Sequence, residues 1–433
     1  MTISADLALN TPLVLPCGAR LNNRLAKAAM TEGLADEMNR ATPALVALYR
    51  RWAANGAGLM LTGNVQVDRR QLERPGNIAI DGNGGFEQLK EMARQGTQGG
   101  AHFWMQINHP GRQTPAGIHP RPLSPSAISV PLEMAGCGQA MEMTRAEIKD
   151  VRRRFVYVAS VARETGFTGV QIHAAHGYLL SNFLSPLANQ RQDEYGGSLE
   201  NRARLLLQVV ADIRKALGSD YPISVKLNSA DFQRGGFTED ESMQVVSWLS
   251  AAGIDLLEIS GGNYEQMSMV GLDSGEGGPM RAASTLAREA YFLAFARKIR
   301  PLAKMPLMIT GGLRSRAAMN LALSEGDCDV IGVGRPFCTA PEQGADLLRR
   351  ESDCESLLAM ETSLAMARDA LGPDVDDATF KTAESFGLLG WYCLQIARMG
   401  RGQEPDLTQS VFDALMEYKA AETGALERWQ RPV

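Results

Sequence analysis

Eight short apolar runs, rich in strand-forming residues, alternate along the chain with longer stretches of helical spacing. The predicted strands span residues 25–30, 58–63, 101–108, 169–174, 223–228, 254–260, 306–311 and 329–334. The predicted helices span residues 43–55, 86–96, 145–165, 199–217, 239–252, 286–299 and 316–324. The alternation of eight strands with helices favours a parallel α/β fold closed into a (β/α)8 TIM barrel. A doubly wound open sheet is the alternative, but it normally has fewer strands and a glycine-rich first turn.

Three segments lie outside these repeats. PLVLPCGARLNN, before the first strand, alternates around Cys17 as a hairpin does, and we expect it to cap the lower end of the barrel. The 108–144 connection is rich in Pro, Gly and Ser, and its place after the third strand favours a substrate lid. We predict a barrel domain over 1–345 and a helical C-terminal extension over 346–433, with helices in TSLAMARDAL and GWYCLQIARMGRG. The extension is expected to pack on the barrel or on a partner subunit of a homo-oligomer.

Composition limits the class of partner. Of the 433 residues, 45% are hydrophobic, enough for a large core, and the net charge is -5. Without a strong basic field, nucleic acid and anionic membranes are poor partners, and a small molecule is expected. The opening MTISADLALN lacks a signal-peptide pattern and no stretch stays apolar for about 18 residues, so we predict a soluble, cytoplasmic protein. The six cysteines form no C-x-x-C pair, which argues against zinc ribbons and iron–sulfur runs.

Polar residues and glycines mark the carboxyl ends of the predicted strands, where TIM barrels carry their active sites. The polar residues there are Thr31, Gln106, His173, His176, Tyr178, Lys226 and Asn228. The seventh strand ends in Gly311 and Gly312, and the eighth in Gly334 and Arg335. Backbone N–H groups and a guanidinium in these two loops suit a phosphate, although glycine also ends strands for reasons of turn geometry alone.

The two histidines permit more than one chemistry. His173 and His176, three residues apart, could bind zinc in a metal-dependent hydrolase, but no Asp, Glu or further His stands out at the neighbouring strand ends. As neutral imidazoles they could instead donate N–H groups to a carbonyl or nitro oxygen, with Tyr178 as proton donor. Structural histidines are the third alternative.

Two further strand-end residues suit a planar heterocycle. Gln106 can both donate to and accept from its edge, and Lys226 can stabilise an anionic ring. A lysine that snorkels to water at the barrel rim is the alternative for Lys226.

The order of motifs resembles the NADH:flavin oxidoreductase or old yellow enzyme family. The blocks are LNNRLAKAAMTEGLAD, FWMQINHPGRQ, VQIHAAHGYLLSNFLSPLANQRQDEYGGSLENRARL, MITGGL and IGVGRPF, spread between residues 12 and 341. The third block, HAAHGYL followed by DEYGGSLENR, is the most specific. The resemblance implies a barrel with bound FMN that takes hydride from NADPH or NADH.

The resemblance also implies roles for individual residues. Thr31 would lie near the flavin C4 carbonyl, Gln106 would read the pyrimidine edge, and His173 and His176 would grip the substrate oxygen while Tyr178 supplies the proton. The full set of implied cofactor contacts is Ala28, Ala29, Met30, Thr31, Asn64, Gln106, Lys226, Gly261, Gly311, Gly312, Gly334 and Arg335.

The sequence departs from the family pattern at two places. Lys226 stands where the family usually has arginine, so the planar fork is lost while the charge is kept. Glu32 follows Thr31, where some members place an aromatic residue. Substrate preference therefore does not transfer from the family.

The predicted activity is ene-reduction: hydride transfer to activated C=C bonds such as enones, with quinones and nitro compounds as further small-molecule substrates. GVGRPF lacks the third glycine of a dinucleotide fingerprint, so donor and acceptor are expected to take turns above one flavin, with ping-pong kinetics. The alternatives are a flavin-dependent oxidative demethylase, a flavin-binding module without turnover and the metal-dependent hydrolase.

Overall fold

Eight parallel strands close into a barrel in the computed structural model, which describes residues 8–130, 136–261, 291–349, 360–361, 363–372 and 374–431. The strands are β1 (Leu25–Lys27), β2 (Leu59–Gln66), β3 (His102–Asn108), β4 (Gly169–Ala174), β5 (Ile223–Asn228), β6 (Leu256–Ser260), β7 (Leu307–Thr310) and β8 (Val330–Val333). They pair in chain order, and β8 closes the barrel against β1 with Gly332 opposite Ala26. The TIM-barrel prediction is confirmed.

Helices follow the strands on the outside of the barrel. Their bounds are Pro43–Ala53, Phe86–Gly96, Arg145–Glu164, Leu179–Leu184, Leu199–Leu217, Glu239–Ala252, 291–299, Arg316–Ser324, Pro336–Thr339 and Gln343–Arg349. Capping boxes start two of them, with Thr144 and Thr238 each exchanging hydrogen bonds with a glutamate three residues on. Residues 286–290 of one predicted helix lie outside the described residues.

Side chains along each strand alternate between the barrel interior and the layer under the helices. On β5, Val225 and Leu227 join the large apolar cluster shared with the helices. Ser224 and Lys226 instead make hydrogen bonds or ion pairs across the barrel interior, to β4 and β6. This period of two decides which residues of a strand can reach the site.

The lower end of the barrel is closed by the N-terminal hairpin. Leu13–Val14 pairs antiparallel with Arg20–Leu21. Leu15 and Leu21 pack into one buried cluster with strand residues that include Leu59, Trp104 and Met308. The predicted hairpin cap is therefore confirmed, and it fills the lower end of the barrel with apolar side chains.

Two long helices form most of the described C-terminal segment. Asp377–Gly400 and Val411–Trp429 pack against each other, and the former also packs on the Pro43–Ala53 helix. Within the predicted helix TSLAMARDAL, residues 364–367 are not helical, and Met366 N donates to Glu384 Oε1 at 3.1 Å. A tertiary hydrogen bond replaces a helical one, so that helix prediction was wrong in part. The division at residue 345 falls inside the Gln343–Arg349 helix and stays a prediction.

Candidate active site

Two histidines and a tyrosine meet at the carboxyl end of β4. His173 lies on the strand, His176 lies on the following turn with φ of 61°, and Tyr178 precedes the next helix. The His173 ring centroid is 5.0 Å from that of His176 and 4.8 Å from that of Tyr178, with the rings edge to face in both pairs. His176 Nε2 is 2.6 Å from Ser260 Oγ on β6. The structure therefore brings the three predicted catalytic residues together.

Both imidazoles are uncharged near neutral pH. Burial lowers the pKa of His173 and of His176 well below 6.5, and the charge of Lys226 lowers both further. The N–H of Ala175 donates to Nδ1 of His173 at 3.3 Å, which assigns the proton of the neutral ring to Nε2. This N–H can be donated to an oxygen atom bound at the barrel mouth.

A layer of polar side chains crosses the barrel interior. Lys226 Nζ lies 3.0 Å from Glu258 Oε1, and the two residues are only 6% and 0% exposed. Glu258 also accepts from Gln171 Nε2 at 2.9 Å and from Thr310 Oγ1 at 2.7 Å. Gln106 Nε2 in turn donates to Gln171 Oε1 at 2.6 Å. Lys226 is thus not a snorkelling lysine at the rim, because its ammonium group is buried and paired.

A second carboxyl group, that of the half-buried Glu73, lies beside Tyr178. Thr31 Oγ1 donates to Glu73 Oε1 at 3.0 Å, and Asn64 Nδ2 donates to Glu73 Oε2. Asn64 Nδ2 is also 3.5 Å from Tyr178 Oη, and the Tyr178 hydroxyl hydrogen-bonds to Glu73. Burial raises the pKa of Glu73, and these hydrogen bonds only partly offset the effect. Two predicted flavin contacts are thereby joined to the predicted proton donor.

Glu32 points away from the barrel mouth. Its Oε1 accepts from the N–H of Gly63 at 2.8 Å and from the Tyr49 hydroxyl. A Cβ at position 63 would lie 2.5 Å from Met30 O, so glycine is needed for this close approach. Glu32 therefore anchors the loop that carries Thr31.

The loop after β7 has the left-handed backbone conformation that its two glycines favour. Gly311 and Gly312 have φ of 104° and 85°, in the region that favours glycine, and a Cβ on Gly311 would meet open space. The side chain of Arg335 is directed at Glu361, with 3.7 Å between Nη1 and Oε2. Arg314 Nη2 lies 3.0 Å from the same oxygen. Two guanidinium groups thus flank these glycine loops and share one carboxylate from the C-terminal segment.

The other predicted cofactor contacts surround the same mouth. Ala28, Ala29 and Met30 follow β1, and Met30 Sδ is 3.8 Å from the position of a Cβ on Gly334. Gly261 follows β6, and a Cβ there would lie 2.7 Å from the Phe232 ring. Nine of the twelve predicted contacts thus follow the carboxyl ends of their strands, and Asn64, Gln106 and Lys226 lie two residues before those ends.

The residues present fit the flavin that the resemblance implies. The buried Oδ1 of Asn64 has no hydrogen-bond partner among the described residues, and a planar ring with N–H donors would supply one. Gln106 and Lys226 offer an amide and a cation, and the glycine loops with Arg335 offer phosphate donors.

Sequence reasoning missed the two carboxyl groups. Glu258 could have been found, since the alternation of LLEIS places it on the same face of β6 as Ser260. Gln171 likewise lies two residues before His173 on β4. Glu73 follows β2 in an irregular stretch, where no periodicity indicates which way a side chain faces.

Two other classes of feature were sought in the described residues. No three His, Cys, Asp or Glu side chains there are grouped so that they could hold a metal ion. No described helix combines the length and the apolar character needed to cross a membrane.

Comparison with known proteins shows the family. The profile of the NADH:flavin oxidoreductase / NADH oxidase family matches residues 9–349. NADH-dependent flavin oxidoreductase iliE of Hypocrea jecorina (strain QM6a) is 35% identical over 356 residues, which cover 78% of this chain and 88% of that protein. NADH-dependent flavin oxidoreductase nadA of Aspergillus parasiticus (strain ATCC 56775 / NRRL 5862 / SRRC 143 / SU-1) is 33% identical over 424 residues, covering 94% of this chain and 88% of the relative.

The fold is also similar to those of solved structures. The complex of 2-naphthoyl-CoA reductase with 2-naphthoyl-CoA superposes with a TM-score of 0.72 and 26% identity, covering 82% of this chain and 54% of that one. With the family profile matched along the whole barrel, the chain belongs to the NADH:flavin oxidoreductase or old yellow enzyme family, whose members are FMN-dependent enzymes that take hydride from NADH or NADPH.

Proposed function

We propose that this enzyme is an ene-reductase, which reduces the C=C bond of an enone or a similarly activated alkene. Bound FMN supplies the chemistry of accepting hydride from the nicotinamide and passing it to the alkene. The observation that carries the proposal is the contact of His173, His176 and Tyr178 at one strand end. Two neutral N–H donors beside a phenol suit an activated carbonyl compound.

The histidines are proposed to bind the carbonyl oxygen of the substrate. Hydride addition to the far carbon of an enone places negative charge on this oxygen. Nε2–H of His173 is set to donate there because Nδ1 is occupied by the Ala175 N–H. Donors held in place before the reaction stabilise such charge without reorganising.

Tyr178 is proposed to protonate the other carbon of the double bond. Its ring packs edge-on against His173, and its hydroxyl lies in the network of Asn64 and Glu73. A phenol held in this way can release its proton as charge develops on the substrate.

The barrel mouth is proposed to hold the cofactor with the residues that the family pattern indicates. Gln106 and Lys226 would contact the ring edge, and Thr31 and Asn64 the part of the ring nearest Tyr178. The glycine loops and Arg335 would hold the phosphate, and Ala28, Ala29, Met30 and Gly261 would line the ring by close backbone approach. Because NAD(P)H and alkene would use one exposed face, we expect ping-pong kinetics.

Tyr178→Phe tests the proposal. Reduction of the enzyme by NAD(P)H requires no proton from this hydroxyl, so its rate should stay within a few-fold of the wild type. Oxidation by 2-cyclohexenone should slow by roughly 10²–10⁴-fold, the usual contribution of a positioned acid. Stopped-flow absorbance of the two half-reactions measures both rates.

A quinone provides the matched control, because it takes its protons on oxygen and should still be reduced by the variant. Equal slowing of both half-reactions, or of neither, would make Tyr178 a packing residue. Failure of the wild-type enzyme to reduce any enone would exclude the ene-reductase function itself.

A further inference from the structure

Glu73 is a carboxyl group at the active site that the proposed function leaves without a role. The Thr31 hydroxyl, at 3.0 Å, and the Asn64 amide donate to it, and it shares a hydrogen bond with the Tyr178 hydroxyl. None of these three partners carries a positive charge. Glu73 therefore touches the proposed proton donor in a setting that favours a neutral carboxyl group more than water does.

The charged and titratable groups around Glu73 support the same conclusion. Arg74, its neighbour in the chain, is bound to Glu422 of the last helix, with Nε 3.1 Å from Oε2. The Arg74 guanidinium also lies 5.2 Å from the Tyr418 ring centroid and 3.6 Å from Cys393 Sγ. The nearby cation is thus held by other partners, and burial raises the pKa of the Glu73 carboxyl group.

We propose that the Glu73 carboxyl group holds the proton that reprotonates Tyr178. As the Tyr178 O–H bond breaks and the new C–H bond forms on the substrate, the O–H bond of the Glu73 carboxyl group breaks and its proton moves to the phenolate oxygen. Glu73 is left as a carboxylate and then takes a proton from water, and no electrons are exchanged in this relay. Glu73 acts through Tyr178, so it is a positioning residue, and its role rests on the proposed function.

Glu73→Gln tests the relay, because the amide keeps the shape of the side chain but has no acidic proton. In single turnovers of reduced enzyme with 2-cyclohexenone, the wild-type rate should fall as the pH rises through the Glu73 pKa. The variant should be slower by about tenfold or more at low pH and should show no such pH dependence, consistent with the loss of one acid. Stopped-flow measurements across the pH range give both quantities.

Infrared spectroscopy gives a readout that does not depend on turnover. In the resting enzyme without enone, the wild type should show the carbonyl band of a protonated carboxyl group that disappears as the pH is raised. This band should be missing from Glu73→Gln. Its presence in the variant at full strength would contradict a protonated Glu73.

Glu422→Gln is the matched control, since it loosens Arg74 and the same segment without touching Tyr178. We expect it to keep the wild-type rate at low pH and to retain a pH dependence, shifted if at all to lower pH, because an unpaired Arg74 lowers the Glu73 pKa. A wild-type rate and profile in Glu73→Gln, or the same defect in Glu422→Gln, would overturn the relay. If Glu73→Gln does not fold, Glu73→Asp is the substitute, because its side chain is shorter by one methylene and moves the acid away from Tyr178. An unchanged rate with enone in this variant would also overturn the relay.

The failure of this inference can be told from failure of the proposed function. If Tyr178→Phe is defective with enone while Glu73→Gln is not, the relay alone is wrong. If Tyr178→Phe is not defective either, the proton donor itself is misassigned and the relay is overturned with it.

Discussion

Lys226 and Glu258 carry opposite charges on neighbouring strands inside the barrel, 3.0 Å apart and almost without exposure. Removing one member of a buried pair leaves the other without compensation, which costs about 3–5 kcal/mol. We therefore expect Lys226→Met and Glu258→Gln each to lower the free energy of unfolding by this order. The double variant should lose less free energy of unfolding than the two single variants together, because neither charge is left unpaired.

Denaturant unfolding of the four proteins in a double-mutant cycle measures this coupling. Strictly additive losses would show that the two charges do not interact as the structure indicates. Gln171 and Thr310 still donate to Glu258 in Lys226→Met, whereas Glu258→Gln leaves only one side-chain oxygen to accept from them. The cycle corrects for this loss, because it occurs both in Glu258→Gln and in the double variant.

Three histidines whose pKa is lowered by burial, two of them buried and His176 partly buried, should make the fold sensitive to acid. Burial lowers the pKa of His109 to about 4, and those of His173 and His176 well below 6.5. The unfolded chain binds protons on these side chains near pH 6.5 and the folded chain does not. Stability is therefore fully present above that pH and falls as the pH drops, by up to about 1.4 kcal/mol per pH unit for each histidine.

The variant His173→Asn/His176→Asn should show a shallower loss of stability between pH 7 and pH 5. Denaturant titrations at several pH values measure the slope. An unchanged slope would mean that the two imidazoles titrate alike in the folded and unfolded states. They would then not be held as neutral donors in the folded enzyme.

At the scale of elements, the first part of the last helix packs on the preceding segment through an apolar face that includes Leu415. Leu415 is 2% exposed and packs with Leu388 and Met366, whereas Met416, the next residue, is 54% exposed. We expect Leu415→Ala to cost about 2–5 kcal/mol and Met416→Ala less than about 0.5 kcal/mol. Thermal or denaturant melts of this pair test the docking, and equal effects would contradict the observed face.

The same helix connects the C-terminal segment to the barrel mouth. Glu422 binds Arg74, and Trp429 Nε1 donates to Asn39 Oδ1 at 2.9 Å. The predicted substrate lid also meets this helix, through the Gln430 side chain and the carbonyl of Gly117, 2.8 Å apart. We propose that residues 346–433 form an extension that supports the loops around the site, and the lid itself stays a prediction.

Across the whole molecule, the apolar packing lies at the lower end of the barrel and the candidate site lies at the upper end. The hairpin and the lower interior are apolar, the next layer is the hydrogen-bonded network around Glu258, and the upper end carries the histidines and Tyr178. This arrangement follows from parallel strands, because all their carboxyl ends must meet at one end of a closed barrel. A site can then be assembled from residues that are far apart in the chain.

The sequence by itself determined the eight strands, most helices and the strand ends at which the site residues lie. These features depend on periodicity and on local signals such as the Thr144 cap, and both can be read over a short window. The tertiary structure alone decided the partners of the carboxyl groups: Glu258 with Lys226, Glu73 with Tyr178, and Glu361 with Arg335. Pairs like these join distant positions, so burial and charge at each depend on a neighbour that local sequence does not contain.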